Sequence, residues 1–335
     1  MRAFIRHRFG GPEVLEQVDV EVPTPTADQV LVRVHATSVN PYDWHHLRGE
    51  PILARLVPGG LGLFRPRLTS AGCDLAGRVE AVGSAVTRFA PGDDVYALLE
   101  QGGFAEYACV SQDMLSPMPS NLSHEQAATV PMAAMTALLA LRDDGRLQSG
   151  QEVIITGATG GVGSFAVQIA VAMGARVTAV CGSRNQALAR KLGAARVLDY
   201  ATTDCTRSGR HDLALDLAGR TTTRAWRRGL NPEGTLVIVG GPPGRWCQPM
   251  THVIASVAAA PLGPERVVGT DIVGCSQKAE LLTALTSLIE AGAVIPVIDR
   301  TYAFDELPDA IRYQEQGHAR GKVAVKIHGE GEGSL

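Results

Sequence analysis

One stretch, from Glu152 to Gly174, constrains this chain more than any other, because a buried strand, a glycine turn and a helix follow one another in it without a gap. Val153 to Ile155 form a β-branched run suited to a parallel strand covered on both faces, and Phe165, Ile169 and Met173 then recur at helical spacing. Between them lies Ala158-Thr159-Gly160-Gly161-Val162-Gly163, a G-x-G-x-x-G pattern with alanine in the first place. In such a turn Gly160 lets the backbone approach a pyrophosphate, Gly163 lets helix and strand pack closely, and the helix N-terminus offers N–H donors and positive potential. A second strand, Arg176 to Val180, completes the strand-helix-strand unit that gives the motif its meaning.

The end of that second strand chooses the dinucleotide. A site for the unphosphorylated form usually carries an acidic residue about 20 positions past the glycines, to bind the ribose hydroxyls. From Ala175 to Leu198 there is no Asp or Glu. The strand instead runs into Cys181-Gly182-Ser183-Arg184, where Ser183 and Arg184 offer a hydroxyl and a guanidinium to a 2′-phosphate. A charge-assisted hydrogen bond of this kind is worth about 1.5–3 kcal/mol. NADPH is therefore the expected cofactor; the alternative is that Arg184 is a solvated residue at the start of the next helix.

The chain is 45% hydrophobic and 19% charged, with a net charge of -3, so it has neither the composition of a disordered protein nor the basic footprint of a nucleic-acid or anionic-membrane binder. Arg224, Arg227 and Arg228 form a small basic cluster at helical spacing that reads as a solvated face. Six scattered cysteines without a C-x-x-C pair point to a reducing compartment rather than to disulfides or a zinc knuckle. Met1 to Arg8 lacks the apolar core of a signal peptide, and the longest apolar run, Val253 to Leu262, is too short to span a bilayer. A cytoplasmic location is expected.

Up to about Pro119 short alternating segments punctuated by Gly, Pro, Asn and Asp predict β structure. Gly49 to Ser70 is a long aperiodic stretch, either lining a substrate cleft with Leu56, Val57, Leu61, Leu63 and Phe64 or packing on itself. Ser123 and Gln126 form a capping arrangement ahead of a short helix, and Met132 to Leu141 predict another. After the glycine turn, helices over Asn185 to Leu192 and Thr221 to Arg228 alternate with strands over Arg196 to Leu198, Leu213 to Leu217, Thr235 to Val239 and Val267 to Val273. Such alternation predicts a parallel doubly wound sheet. Asn231-Pro232-Glu233-Gly234 reads as a turn, and Gly240-Gly241-Pro242-Pro243-Gly244 leaves a strand at the end where ligands lie in such sheets. The expected division is residues 1–122 with 293–335 in one domain, and 123–292 in the other.

Further pieces carry a resemblance: Gly11-Pro12-Glu13-Val14-Leu15, Ser38-Val39-Asn40-Pro41-Tyr42-Asp43-Trp44, Gly72-Cys73-Asp74-Leu75-Ala76-Gly77-Arg78-Val79, the Gly157 to Gly163 turn with Ser183-Arg184, and Gly321-Lys322-Val323-Ala324-Val325. Together they resemble the medium-chain dehydrogenase/reductase superfamily, in its zinc-independent quinone-reductase-like branch, over almost the entire chain. The resemblance implies an α/β protein with a GroES-like β-rich catalytic domain, a Rossmann domain of doubly wound parallel-sheet type, and NADPH in a cleft between them. It also implies that Asn40 orients the nicotinamide ribose, that Asp43 buttresses its loop, that Thr136 lies near the nicotinamide and that Tyr200 lies near the adenine or its phosphate. A homodimer through the Val267 to Val273 edge is expected on the same ground. In zinc-dependent relatives a cysteine stands at Asn40, a His-Glu pair at Cys73-Asp74 and a further cysteine in the Met132 to Met135 region. Only Cys73 could serve among these positions, where catalytic zinc needs about three ligands; His45 and His46 are adjacent and do not readily face one ion.

Without a Lewis acid the favoured substrates are those activated by conjugation, so hydride transfer to a quinone or to the β-carbon of an enone is expected, with Tyr42 as hydrogen-bond and proton donor to the developing oxyanion. Two alternatives stay open. One is a zinc-free alcohol or ketone reductase, and the other a nucleotide-binding protein without turnover that acts through RNA or a membrane partner.

Overall fold

The β-branched runs of the second half assemble into a six-stranded sheet in the order Arg196–Asp199, Arg176–Cys181, Glu152–Thr156, His211–Asp216, Leu230–Ile238, Arg266–Gly269. Every neighbouring pair is parallel. Counted along the chain this is the order 3-2-1-4-5-6, so the sheet reverses direction of growth between Glu152–Thr156 and His211–Asp216. Such a reversal is where doubly wound sheets open a crevice for ligands. The computed structural model describes residues 1–56, 60–241, 250–258, 263 and 265–328.

Val153, Ile154 and Ile155 are fully buried, as a strand covered on both faces requires. The helix Gly161–Ala172 buries Phe165 and Ile169, while Met173 falls at its C-cap. Two expectations for this sheet are corrected. Asn231 to Gly234 do not separate a helix from a strand; they bulge from the strand Leu230–Ile238, whose register with its neighbour jumps from His211↔Leu230 to Leu213↔Thr235. Pro232 has no N–H to give a ladder, so this is where the extra residues leave it. The last strand covers Arg266–Gly269 only, rather than running on to Val273. Pro242, Pro243 and Gly244 lie outside the described residues.

In the first half the central element is Gln29–Val39, eleven residues that pair with Asp74–Val82 on one side and with Tyr107–Ser111 and Lys322–Lys326 on the other. The sheet runs Ile298–Ala303, Lys322–Lys326, Gln29–Val39, Asp74–Val82, Asp94–Leu98, Leu115–Pro117 around a core that includes Val30, Val32, Val34, Leu75, Val95 and Val325. Ser123 caps the next helix as expected: its hydroxyl accepts from Gln126 N at 3.3 Å and its own N–H donates to Gln126 Oε1 at 3.0 Å. Within 49–70 the short helix Ile52–Arg55 forms, with Leu56, Leu63 and Phe64 exposed; Val57 lies outside the described residues.

The chain divides into two compact units, Met1–Met132 with Ser276–Glu290 and Pro296–Leu335, and Ala133–Cys275 with Ala291–Ile295. The boundaries differ from the expected ones in three places: 293–295 fall in the second unit, while 123–132 and 276–290 fall in the first for reasons of partnership. His124–Ala128 joins the first unit through His124 Nε2 to Asp94 at 3.1 Å and Lys326 to Glu125 at 3.6 Å. Lys278–Glu290 joins it too, because Tyr96 Oη donates to Leu282 O at 2.9 Å and Asn121 Nδ2 to Ile289 O at 2.9 Å. Among the described residues no helix is long and apolar enough to cross a membrane.

Candidate active site

The glycine turn has the geometry its spacing predicts. Gly157 is exposed with φ 63°, a left-handed conformation that glycine adopts without strain. A Cβ on Gly163 would stand 2.1 Å from Gly157 O and 2.8 Å from the Ala158 backbone, so helix and strand approach closely only because no side chain intervenes. A Cβ on Gly160 would meet just Gly157 O, at 3.4 Å, which leaves open space beside the helix N-terminus. Gly161 and Val162 begin the helix half-buried, and Thr159 is buried behind them. First-turn N–H groups of a helix lack intrahelical acceptors, so this end suits an anionic phosphate.

Along the rim of the same sheet, Thr156 Oγ1 donates to Asp216 Oδ1 at 2.7 Å and accepts from Leu217 N and Ala218 N at 3.0 and 3.2 Å. Asp216 further accepts from Gly219 N at 2.9 Å and from Trp226 Nε1 at 3.0 Å. Gly240 and Gly241 follow the neighbouring strand and press on this turn: a Cβ on Gly219 would lie 2.2 Å from Gly241 Cα, and one on Gly240 2.5 Å from Leu217 O. The sequence signals the network only as an acidic residue ending the buried run Leu213-Ala214-Leu215, a place where a carboxylate must find donors.

At the end of the second strand Ser183 and Arg184 are exposed in the short helical turn Ser183–Asn185. Tyr200, 64% exposed, lies against that turn, since a Cβ on Gly182 would be 3.2 Å from its hydroxyl. The structure thus brings Ser183, Arg184 and Tyr200 together on one edge of the sheet with no carboxylate in the turn itself. Thr136, by contrast, is buried in the helix Pro131–Leu138.

In the first unit, Asn40, Tyr42 and Asp43 sit at the start of the helix Pro41–Arg48, which Pro41 and Asp43 favour by a fixed φ and by capping. Asp43 Oδ2 accepts from Asn40 N at 2.7 Å. Burial raises the Asp43 carboxyl to about 7, with the Asp74 charge adding to the rise and the Asn40 N–H, Lys322 and Cys73 opposing it. Tyr42 Oη reaches Glu100 O at 3.4 Å, and burial, reinforced by Cys73, lifts its phenol well above the ordinary value, so it holds its proton. The His46 ring lies tilted against Tyr42 with centroids 3.9 Å apart and donates from Nδ1 to Tyr42 O at 2.9 Å, while His45 stacks on Trp44 at 3.7 Å.

Asn40, Cys73 and Asp74 form one buried cluster. Asn40 Nδ2 donates to Asp74 Oδ2 at 2.8 Å and to Cys73 Sγ at 3.4 Å, and Asp74 accepts further from Ser38 Oγ at 2.5 Å and Met132 N at 2.8 Å. The Lys322 ammonium donates to Asn40 Oδ1 and stands 3.5 Å from Asp74. These residues do not fit a zinc ion, since a cationic nitrogen already faces the carboxylate and Asn40 turns an N–H donor toward both Cys73 and Asp74. Among the described residues no three His, Cys, Asp or Glu side chains are grouped to hold a metal.

A GroES-like β-rich unit and a six-stranded parallel sheet with a glycine turn at its reversal define the medium-chain dehydrogenase/reductase class. Residues 26–120 match the alcohol dehydrogenase GroES-like domain family and residues 192–325 the zinc-binding dehydrogenase family. A chloroplast envelope quinone oxidoreductase homolog of Arabidopsis thaliana is 33% identical over 95% of each chain. The mitochondrial NAD(P)H oxidoreductase RTN4IP1 of Mus musculus is 32% identical over 98% of this chain and 89% of its own. The quinone oxidoreductase of Coxiella burnetii superposes with a TM-score of 0.85 at 30% identity, over 98% of this chain and 99% of that one. The chain belongs to the medium-chain dehydrogenase/reductase superfamily, among oxidoreductases similar to quinone oxidoreductases.

Proposed function

We propose that this chain is an NADPH-dependent oxidoreductase acting on a quinone or an α,β-unsaturated carbonyl compound, and that it works without zinc. The observation that carries this reading is the exposed Ser183–Arg184 turn beside Tyr200, with no acidic residue from Ala175 to Leu198. The names of the relatives, quinone oxidoreductase and NAD(P)H oxidoreductase, agree with it.

Gly160, Gly161, Val162 and Gly163 hold the pyrophosphate at the helix N-terminus, with Gly157 and Thr159 shaping the turn. Ser183, Arg184 and Tyr200 hold the adenosine phosphate, and Gly240, Gly241 and Thr136 serve the nicotinamide half. When bound, NADPH supplies a hydride to the substrate. Tyr42 keeps a proton available and donates a hydrogen bond to the oxygen on which charge develops. Asn40 and Asp43 fix the loop that carries it. Lys322 rather than a metal balances the buried charge nearby, which is why conjugated substrates that need no Lewis acid are favoured. A homodimer through the edge strand Arg266–Gly269, in a reducing compartment such as the cytoplasm, completes the reading.

Calorimetric titration of the purified chain with NADPH and NADH, followed by NADPH oxidation assays on quinones and enones with and without a chelator, tests it. Tight NADPH uptake, turnover of a conjugated substrate and indifference to the chelator are expected. No uptake of either nucleotide overturns the reading, and activity restored by added zinc overturns its metal-free part.

A further inference from the structure

Asn40 follows the central strand Gln29–Val39 and is flanked by residues that open the two neighbouring strands, Lys322 of Lys322–Lys326 and Asp74 of Asp74–Val82. The register Val323↔Val39 sets Lys322 beside Asn40. Lys322, Asn40 and Asp74 are 3%, 2% and 0% exposed. A carboxylate that deep is tolerated only if its charge is compensated and its lone pairs are filled. Its hydrogen bonds come from Ser38, Asn40 and Met132, all neutral donors. The positive charge facing it at short range is the Lys322 ammonium, 3.5 Å away.

By the resemblance drawn from the sequence, Asn40 and Cys73 also stand where zinc-dependent relatives carry ligands. Here they bond to each other at 3.4 Å, and the Lys322 ammonium holds the Asn40 amide by its oxygen. We infer that Lys322 is the resident cation of this pocket, taking the electrostatic place of a divalent metal: it neutralises Asp74 and fixes which way round the Asn40 amide is held. A tethered ammonium cannot be lost to a chelator, and it leaves no vacancy for zinc. The inference rests on the metal-free part of the proposed function and deepens it, while its test is independent of hydride transfer.

Lys322→Met, Asp74→Asn and the double variant decide it by thermal denaturation. Lys322→Met strands a buried carboxylate and is expected to lower Tm by about 5–10 °C. Adding Asp74→Asn to Lys322→Met should raise Tm again, because the stranded Asp74 charge is then removed; if it leaves Tm unchanged or lowers it further, the charge pairing is refuted. Wild-type protein dialysed against Zn²⁺ should retain no stoichiometric metal, and one zinc per chain that disappears in Cys73→Ser overturns the assignment. NADPH affinity of the wild type is read separately. A chain that shows the Lys322–Asp74 coupling but takes up no nucleotide keeps this inference and loses the proposed function.

Discussion

The hydroxyl of Thr156 donates to Asp216 at 2.7 Å, and this bond joins the carboxyl ends of the two strands between which the sheet reverses. At that point the backbone leaves both strands and its N–H groups lose their ladder partners. The pair supplies replacements, since Thr156 Oγ1 accepts from Leu217 N and Ala218 N, and Asp216 accepts from Gly219 N and the Trp226 indole. The turns that leave the sheet at the reversal are therefore fixed by side chains, with the glycine turn on one side and Gly240 on the other.

Asp216→Ala removes the acceptor for three buried donors at once. Each hydrogen bond to a charged group contributes about 1.5–3 kcal/mol, so a loss on the order of 3–5 kcal/mol is expected by chemical denaturation. Asp216→Asn retains an oxygen that accepts and should fall between Ala and wild type. Equal stability of all three proteins would show that the network carries nothing.

Gly163→Ala and Gly160→Ala should part company. At Gly163 the new methyl meets backbone atoms at 2.1 and 2.8 Å, which do not move aside, so both Tm and nucleotide affinity should drop; overpacking of this kind costs about 1–3 kcal/mol. At Gly160 the methyl meets only Gly157 O at 3.4 Å, so the fold should tolerate it while the space for a pyrophosphate is lost. Calorimetry beside thermal denaturation separates the two, and a Gly160→Ala protein that binds NADPH as wild type does refutes the placement.

Arg184→Ala tests the phosphate contact. Loss of one charge-assisted bond weakens NADPH about ten-fold to a hundred-fold and should leave NADH within about two-fold. Equal losses for the two nucleotides would remove Arg184 from the site.

Much of this was legible because it is local. The strand-turn-helix of 152–174 shows in side-chain period and glycine spacing, and the Ser123–Gln126 cap is contained in four residues. What was not legible depends on distant partners. Lys322 and Asn40 are 282 positions apart, and the sequence around Lys322 shows only a strand. The helix Lys278–Glu290 buries Leu281, Leu282, Leu285 and Ile289, yet the face it covers is set by Tyr96 and Asn121, which no pattern within the helix reveals. The bulge at Asn231 to Gly234 read as a turn because Pro and Gly mark any departure from a ladder, whether or not the strand resumes in register.

Three buried histidines weaken the fold in acid. Burial lowers His35, His45 and His46 to about 4; a neighbouring charge at His124 adds to the effect on His35 and one at Arg6 to that on His46, while the backbone acceptor Tyr42 O opposes it at His46. Their unfolded value is about 6.5, so the folded chain resists a proton that the unfolded chain takes, and the stability they contribute is complete above about 6.5 and lost as pH falls through about 4. Each is worth at most about 3 kcal/mol over that window. Asp43 acts in the opposite sense. Its folded value of about 7 lies above the unfolded one, so its contribution is complete below about 3.9 and lost as pH rises through about 7. Three imidazoles outweigh one carboxyl, and Tm should fall on acidification from pH 6.5 to 4. His46→Gln should make that fall shallower, and Asp43→Asn, by removing the opposing group, should make it steeper. Profiles parallel to wild type in both variants would show that these groups do not carry the pH dependence.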